Sequence, residues 1–362
     1  MSTVIFVDGP SATERSSRPW KPMTRVTWLQ HRFMIFGVLG LVSCLALYMF
    51  VMGPQIHAMY ARYVVNGCPF NLANAANCAG IQSQLGHSAI TITFIDIALH
   101  VLPVVVGMFV GAPLIAREFE SGTYRFTWTQ GMPRATWLTF KLTLLALVVI
   151  VSTSLLGLLA HSFAGPYNAM GLGSPWVSGQ FDITPLILPA WALFGLTLGT
   201  FIGALLKRTV SAMAVTGALA GGVVIAVFWK VDHLLLSVGP RVMKASPVGL
   251  NWGTLNASAA PISVGRPLHA PPLGSWLVNG WYTGADGRHL TTPAIKTLLQ
   301  SSYSGNQKNQ PMTWLVQHHD TFWVSYQPAN RFWAFESVEA VVLVVVAVAL
   351  AWGTSLLIRR RA

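Results

Sequence analysis

Six stretches of this chain are apolar for the length of a bilayer, and no other feature limits its fold as much. They run at roughly 33–53, 89–115, 137–160, 185–206, 210–236 and 337–358. A hydrocarbon core is spanned by about 20 residues of helix. A chain crossing it must satisfy every backbone polar group within the segment, which favours helices. The chain is 53% hydrophobic and 9% charged, whereas a soluble domain carries about 25% charge. So few charges cannot cover a globule of this size, so lipid must be the solvent for much of the surface. The expectation is an all-α membrane protein with six transmembrane helices. The first apolar run begins only at Phe33 and continues for membrane length, which reads as a retained anchor rather than a cleaved leader.

The formal net charge is +12, which in a soluble protein would suggest nucleic acid. Here topology accounts for it. Arg15, Arg18, Lys21, Arg25 and Arg32 precede the first run. Arg117, Arg125 and Arg134 lie between the second and third, Lys141 stands at the start of the third, and Lys207 and Arg208 lie between the fourth and fifth. Arg359, Arg360 and Arg361 follow the sixth. The two short loops of the opposite side hold only Arg62 between them, and the long segment after the fifth run is too long to count. Both chain ends and the loop 116–136 are therefore expected in the cytosol, with the protein multi-pass in its membrane. No nucleic-acid partner is expected; the lipid bilayer is.

This divides the chain into a disordered tail at 1–23, a segment 24–32, helices one to five over 33–236, an extracytoplasmic domain at 237–333, and helix six with its basic end at 334–362. Segment 24–32, with Arg25, Trp28 and Arg32, suits either a helix lying in the interface or a continuation of the first membrane helix. The outer segment is rich in Trp and Tyr, unlike a disordered linker. The alternation in 321–326 (TFWVSY) suggests strands within a mixed structure. Cys68 and Cys78 share the first outer loop, in an oxidising compartment, which predicts a disulfide between them. Cys44 lies within an apolar run and reads as a packing residue.

Gly195, Gly199 and Gly203 repeat every four residues in the fourth run, as do Gly217 and Gly221 in the fifth and Gly107 and Gly111 in the second. That spacing clears one helix face so that another backbone can approach it. The Lys207–Arg208 turn makes runs four and five an antiparallel hairpin.

Chemistry-bearing residues are few. The pattern G-x-x-x-x-G-K-[ST] does not occur, so no P-loop is encoded. No catalytic motif and no metal site are expected. Asp96 and His100 share a face of the second helix, and Glu339 lies about one turn into the sixth, after Glu336. Ionisable residues inside a membrane are functional candidates by default. They would bind a polar substrate group, relay protons, or simply hydrogen-bond between helices. The stretch GAPLIAREFESGTYRFTWTQGMPRATWLTFK, 111–141, interleaves Arg117, Glu118, Glu120, Arg125 and Arg134 with aromatic residues. It suits a short amphipathic segment at the cytosolic interface, facing a partner.

This stretch resembles the loop between the second and third helices of ABC-2-type transporter permeases. Thr27 to Arg32 resembles the start of actinobacterial members, and Tyr326 to Trp333 resembles their lead-in to the sixth helix. The resemblance implies a fold of the ABC-2, type V exporter-like kind. It implies a non-enzymatic membrane subunit working with two copies of a separate ABC ATPase and a second permease copy, as a homodimer. ATP and Mg would be held by the partner, with no cofactor here. Arg117, Glu118, Glu120, Gly122, Thr123 and Arg134 would couple to the ATPase. The cargo would be an amphipathic or hydrophobic compound: a drug, antibiotic, peptide or lipid, with resistance as one outcome. Many members have a compact hairpin where this chain has its long outer segment. Two rival readings remain: a membrane-embedded enzyme using Asp96 and His100, and an accessory protein whose outer domain binds a partner.

Overall fold

A computed structural model of the chain describes residues 20–68, 75–122, 133–169, 181–227, 239–245, 275–290 and 321–361. The helices are α1 (Trp20–Val65), α2 (Ala75–Val106), α3 (Ala112–Ser121), α4 (Arg134–Ala169), α5 (Ile187–Leu206), α6 (Thr209–Ala226) and α7 (Phe332–Arg361). A single π-helical turn, Gly107–Gly111, joins α2 to α3 into one rod. Among the described residues, six helical segments are long and apolar enough to cross a membrane. They are Phe36–Val65, Ile90–Ser121, Ala135–Asn168, Ile187–Leu206, Thr209–Ala226 and Ala329–Arg360. These match the six apolar runs in number and order, and most extend past them. Beyond the hydrocarbon a helix need not be apolar, so hydropathy marks its lipid-facing middle and not its ends.

Six helical segments running up and down in turn return the chain to the side on which it began, so the end with residues 20 and 361 is here called the terminal end; the other is the sheet end. Residues 24–32 lie within the unbroken helix α1. Of the segment read as a tail, residues 20–23 belong to α1 and the remainder lies outside the described residues.

Helix α5 is the hub. In its most apolar window 89% of residues are buried, against 17% for α6 and 22% for α1 and α7. It packs on α2, the π turn, α3, α4, α6 and α7. The outer helices turn Phe50, Val51, Leu155, Ile225, Val345 and Val348 outward, a surface that water would oppose and lipid accepts.

The α2–α3 rod meets α5 backbone to backbone. A Cβ built on Gly195 would strike the Pro103 carbonyl, and one on Gly199 the Gly107 carbonyl. One on Gly203 would strike the Ala112 carbonyl, and one on Gly107 would lie 2.7 Å from the Gly195 carbonyl. Gly111 faces the Leu196 carbonyl in the same way. These are the small-residue contacts that let helices approach when lipid provides no hydrophobic drive between them. Gly217 meets the Met108 side chain, whereas Gly221 faces open space.

Among the described residues the sheet end carries three antiparallel strands, β1 (Arg241–Ala245), β2 (Trp276–Thr283) and β3 (Thr321–Gln327), in the order β1-β3-β2. Cross-strand pairs Trp281–Trp323 and Tyr282–Phe322 supply its apolar contacts. The Trp323 Nε1–H donates to the Thr283 hydroxyl at 3.0 Å. Arg331, just before α7, donates to the Gly239 carbonyl at 2.6 Å and to Gln327 at 3.2 Å, fastening the sheet to the last helix. Strand β3 is the alternating TFWVSY segment with one residue more. Cys68 and Cys78 form a disulfide, their Cα atoms 5.8 Å apart, clamping α1 to the start of α2.

Candidate functional site

Two polar clusters lie along the α2–α3 rod, one where α3 finishes and one near its middle, around His100. The first occupies the terminal end, where α3 finishes. Gly122 closes α3 in the left-handed conformation, φ 70°, which glycine adopts without steric cost. The helix runs to Ser121, so Arg117, Glu118 and Glu120 lie on its final turns. Arg117 and Glu120 are exposed. Glu118 is 7% exposed and accepts a hydrogen bond from the Lys141 ammonium of α4, itself 2% exposed. Lys141 also stands 4.6 Å from the centroid of the Trp137 ring. Glu120 accepts from the Thr209 backbone N–H at 2.9 Å, satisfying a free donor at the start of α6. Lys207, in the left-handed turn between α5 and α6 (φ 56°), lies 5.4 Å from the Phe119 ring. One turn of α3 thus holds the beginning of α4, the α5–α6 turn and the beginning of α6.

Of the residues assigned to partner coupling, Arg117, Glu118, Glu120 and Gly122 are therefore gathered at this end. Glu118 faces inward, not toward solvent. Arg134 opens α4, and Thr123 lies outside the described residues, as does Arg125.

The second cluster lies toward the sheet end. His100 is 21 residues from Ser121, or roughly 30 Å at 1.5 Å per residue, the thickness of the hydrocarbon core. Its Nδ1–H donates to the Asp96 main-chain carbonyl at 2.7 Å. The i, i+4 relation read from the sequence is thus realised through backbone. The charged neighbour of its Nε2 is Asp182, at 3.6 Å. Asp182 belongs to the short turn 181–186 that leads into α5. It is 4% exposed, and its Oδ1 has no hydrogen-bond partner among the described residues.

From α7, Glu336 enters the same region, fully buried at 0% exposure. Asp182 and the Thr184 hydroxyl are its neighbours. In this structure neither Glu336 oxygen nor the Thr184 hydroxyl completes a hydrogen bond among the described residues. Glu339, 8% exposed, follows one turn later.

Two cavities flank the 181–186 turn. One, with room for about a single water molecule, is lined by Leu99, His100, Pro103, Asp182 and Trp191 among others. The other, also small, is lined by His161, Asn168, Thr184 and Phe332 among others. Pro103 has no N–H, so the Leu99 carbonyl loses its i+4 donor beside the first cavity. Among the described residues, no group of three or more His, Cys, Asp or Glu side chains has the arrangement of a metal site.

Sequence reading singled out Asp96, His100 and Glu339 for this region and named Glu336 only as preceding Glu339. It missed Asp182, Thr184 and Trp191. An acid directly before an apolar run, as in FDITP, was the available signal, but only the fold places it against His100.

A model of the family described as ABC-2 membrane transporter related matches residues 39–231, the first five spans. No curated protein matches the chain, and no solved structure does.

Proposed function

The chain belongs to the ABC-2 membrane transporter related family, and from that premise we propose that it is the membrane-spanning subunit of an ATP-driven exporter whose ATPase is a separate chain. The observation that carries this reading is the family match over the first five of six membrane-length helices. The sequence contributes two supports. It has no P-loop of its own, and its short-loop lysines and arginines gather at the terminal end. That end then faces the cytosol, and the disulfide and the three-stranded sheet face outward from the plasma membrane.

In this account two copies of the chain and two ATPase subunits form the transporter, with ATP and Mg held by the ATPases. Arg117, Gly122, Thr123 and Arg134 present the surface that the ATPase touches. Glu118 and Glu120 act from within, tying that surface to α4 and α6, so that a push on α3 reaches three helices together. Differential ATPase affinity for two arrangements of the bundle then shifts its population between inward- and outward-open states. The cargo is an amphipathic or hydrophobic compound, a drug, antibiotic, peptide or lipid, released beneath the outer domain of 237–333.

Inside-out vesicles containing the chain and its co-expressed ATPase test this. ATP should drive accumulation of a fluorescent amphiphile, and replacing the ATPase's P-loop lysine should abolish it. Accumulation that ignores both ATP and that lysine would overturn the export reading.

A further inference from the structure

Glu336 is a carboxyl without a counter-charge. It is 0% exposed, it lines neither of the two small cavities, and among the described residues it is paired to no lysine, arginine or histidine. Neither of its oxygens meets a donor in hydrogen-bond geometry among the described residues. The groups beside it are the Thr184 hydroxyl and Asp182. The imidazole of His100 faces Asp182 at 3.6 Å, so it answers that carboxylate and not Glu336.

An ionised carboxylate survives burial when water, a cation or several N–H donors surround it. Glu336 has none of these among the described residues, and Asp182 beside it adds like charge. The neutral acid meets neither obstacle. A carboxylic acid has an O–H to donate. Thr184, 3% exposed and with its hydroxyl unpartnered among the described residues, stands next to it. Thr184 also lines the cavity of His161 and Asn168, which has room for about one water. His161 is exposed. A route for a proton thus leads from the surface past His161 and that cavity to Thr184 and Glu336.

We propose that Glu336 is a proton-binding site: as the neutral acid, donating to Thr184, it latches α7 to the 181–186 turn, and loss of its proton releases that latch. On release the O–H bond of Glu336 breaks and its electron pair stays on the carboxylate. Thr184 takes the proton and gives its own to a water, which carries it to the surface. The carboxylate then repels Asp182, and the start of α7 moves from the turn that leads into the hub helix. The latched arrangement binds one proton more than the released one, so low pH favours it and rising pH opens it. The other titratable groups around the site are Asp96 and His100 of α2, His161 and Tyr167 of α4, Asp182 itself and Glu339 of α7; α5 brings none. Arg331, before α7, is held by the Gly239 carbonyl and Gln327. The proton site does not rest on the transport reading; in a transporter it ties opening at the outer end to the pH on that side.

Infrared difference spectroscopy of the full chain in nanodiscs, titrated from acid to alkaline pH, reads the proton directly. The expected result is a carbonyl-stretch band of a protonated carboxylic acid that persists at neutral pH and disappears on alkalinisation. It should be missing from Glu336→Gln, retained in Glu339→Gln, and moved to higher frequency in Thr184→Val, where its hydrogen bond is lost. Distances between spin labels at Ile90→Cys on α2 and Ala334→Cys on α7, both exposed, read the latch in a Cys44→Ala background. A second distance population should grow as the band is lost, and Glu336→Gln, which keeps the neutral shape, should hold the first population at every pH. A parent chain without the band at neutral pH, an unchanged band in Glu336→Gln, or a second population that still grows in that variant would overturn the proposal. Thr184→Val keeps the carboxyl and serves as the independent test if Glu336→Gln unsettles α7; an unmoved band there would overturn the proposal too.

Discussion

Replacing Lys141 by methionine removes one partner of the buried pair that joins α3 to α4. Lys141 is 2% exposed and Glu118 7%, and the second oxygen of Glu118 has no hydrogen-bond partner among the described residues. Two unit charges in contact attract by about 4 kcal/mol at an effective dielectric of about 20. Deleting one leaves the other buried alone, which costs about 3–5 kcal/mol in comparable pairs. Exchanging both for apolar residues of similar volume is often close to neutral, because desolvation of two charges disappears with them. Unfolding free energies in detergent should therefore fall by about 3–5 kcal/mol for Lys141→Met and by at least about 2 kcal/mol for Glu118→Gln. The double variant Glu118→Leu, Lys141→Met should return to within about 1 kcal/mol of the parent. If the double loss equals the sum of the single losses, or neither single variant is destabilised, the pair does not hold these helices and the reasoning fails. The same cycle bears on coupling. Restored ATPase association in the double variant would mark Glu118 as a positioning residue, whereas its continued loss would mean that the carboxylate touches the ATPase.

Gly199→Ala would set a methyl against the Gly107 carbonyl and 2.7 Å from the Ala112 nitrogen. It should destabilise by about 1–3 kcal/mol in the same unfolding assay, whereas Gly221→Ala, facing open space, should be neutral or gain up to about 1 kcal/mol from helix propensity. Cys78→Ser opens the disulfide and should cost about 2–3 kcal/mol, an effect that a reductant should reproduce in the parent chain and not in the variant. In a Cys44→Ala background, a membrane-impermeant maleimide should label Arg288→Cys in intact cells and Arg360→Cys only after lysis; the reverse pattern would invert the topology.

What sequence reading recovers and what it loses follow from the range of the forces involved. The six spans are legible because lipid acts on each stretch separately, so composition within 20 residues suffices. The glycine ladder of α5 is legible as a pattern, but its register against Pro103, Gly107 and Ala112 emerges only in the fold. The π turn at Gly107–Gly111 leaves no signature beyond those two glycines. Glu118 illustrates the opposite failure. A carboxylate between an exposed arginine and an exposed glutamate reads as surface, and only the partner 23 positions later, on another helix, draws it inside. Asp182 is missed for the same reason, its partner being on α2. Strand β3 shows its alternation openly, while β1, five residues paired to β3, carries too short a pattern to stand out.

The central claim, that this chain is the membrane half of a transporter driven by another chain, is tested most directly by mild-detergent purification of the tagged protein with quantitative mass spectrometry. The account predicts a soluble P-loop ATPase at about one copy per chain, lost when Arg117 and Arg134 are replaced by glutamate and retained when the exposed Asp286 of the sheet end is replaced by asparagine. A chain that purifies without any ATPase, or whose ATPase is indifferent to the charge of that surface, would contradict it.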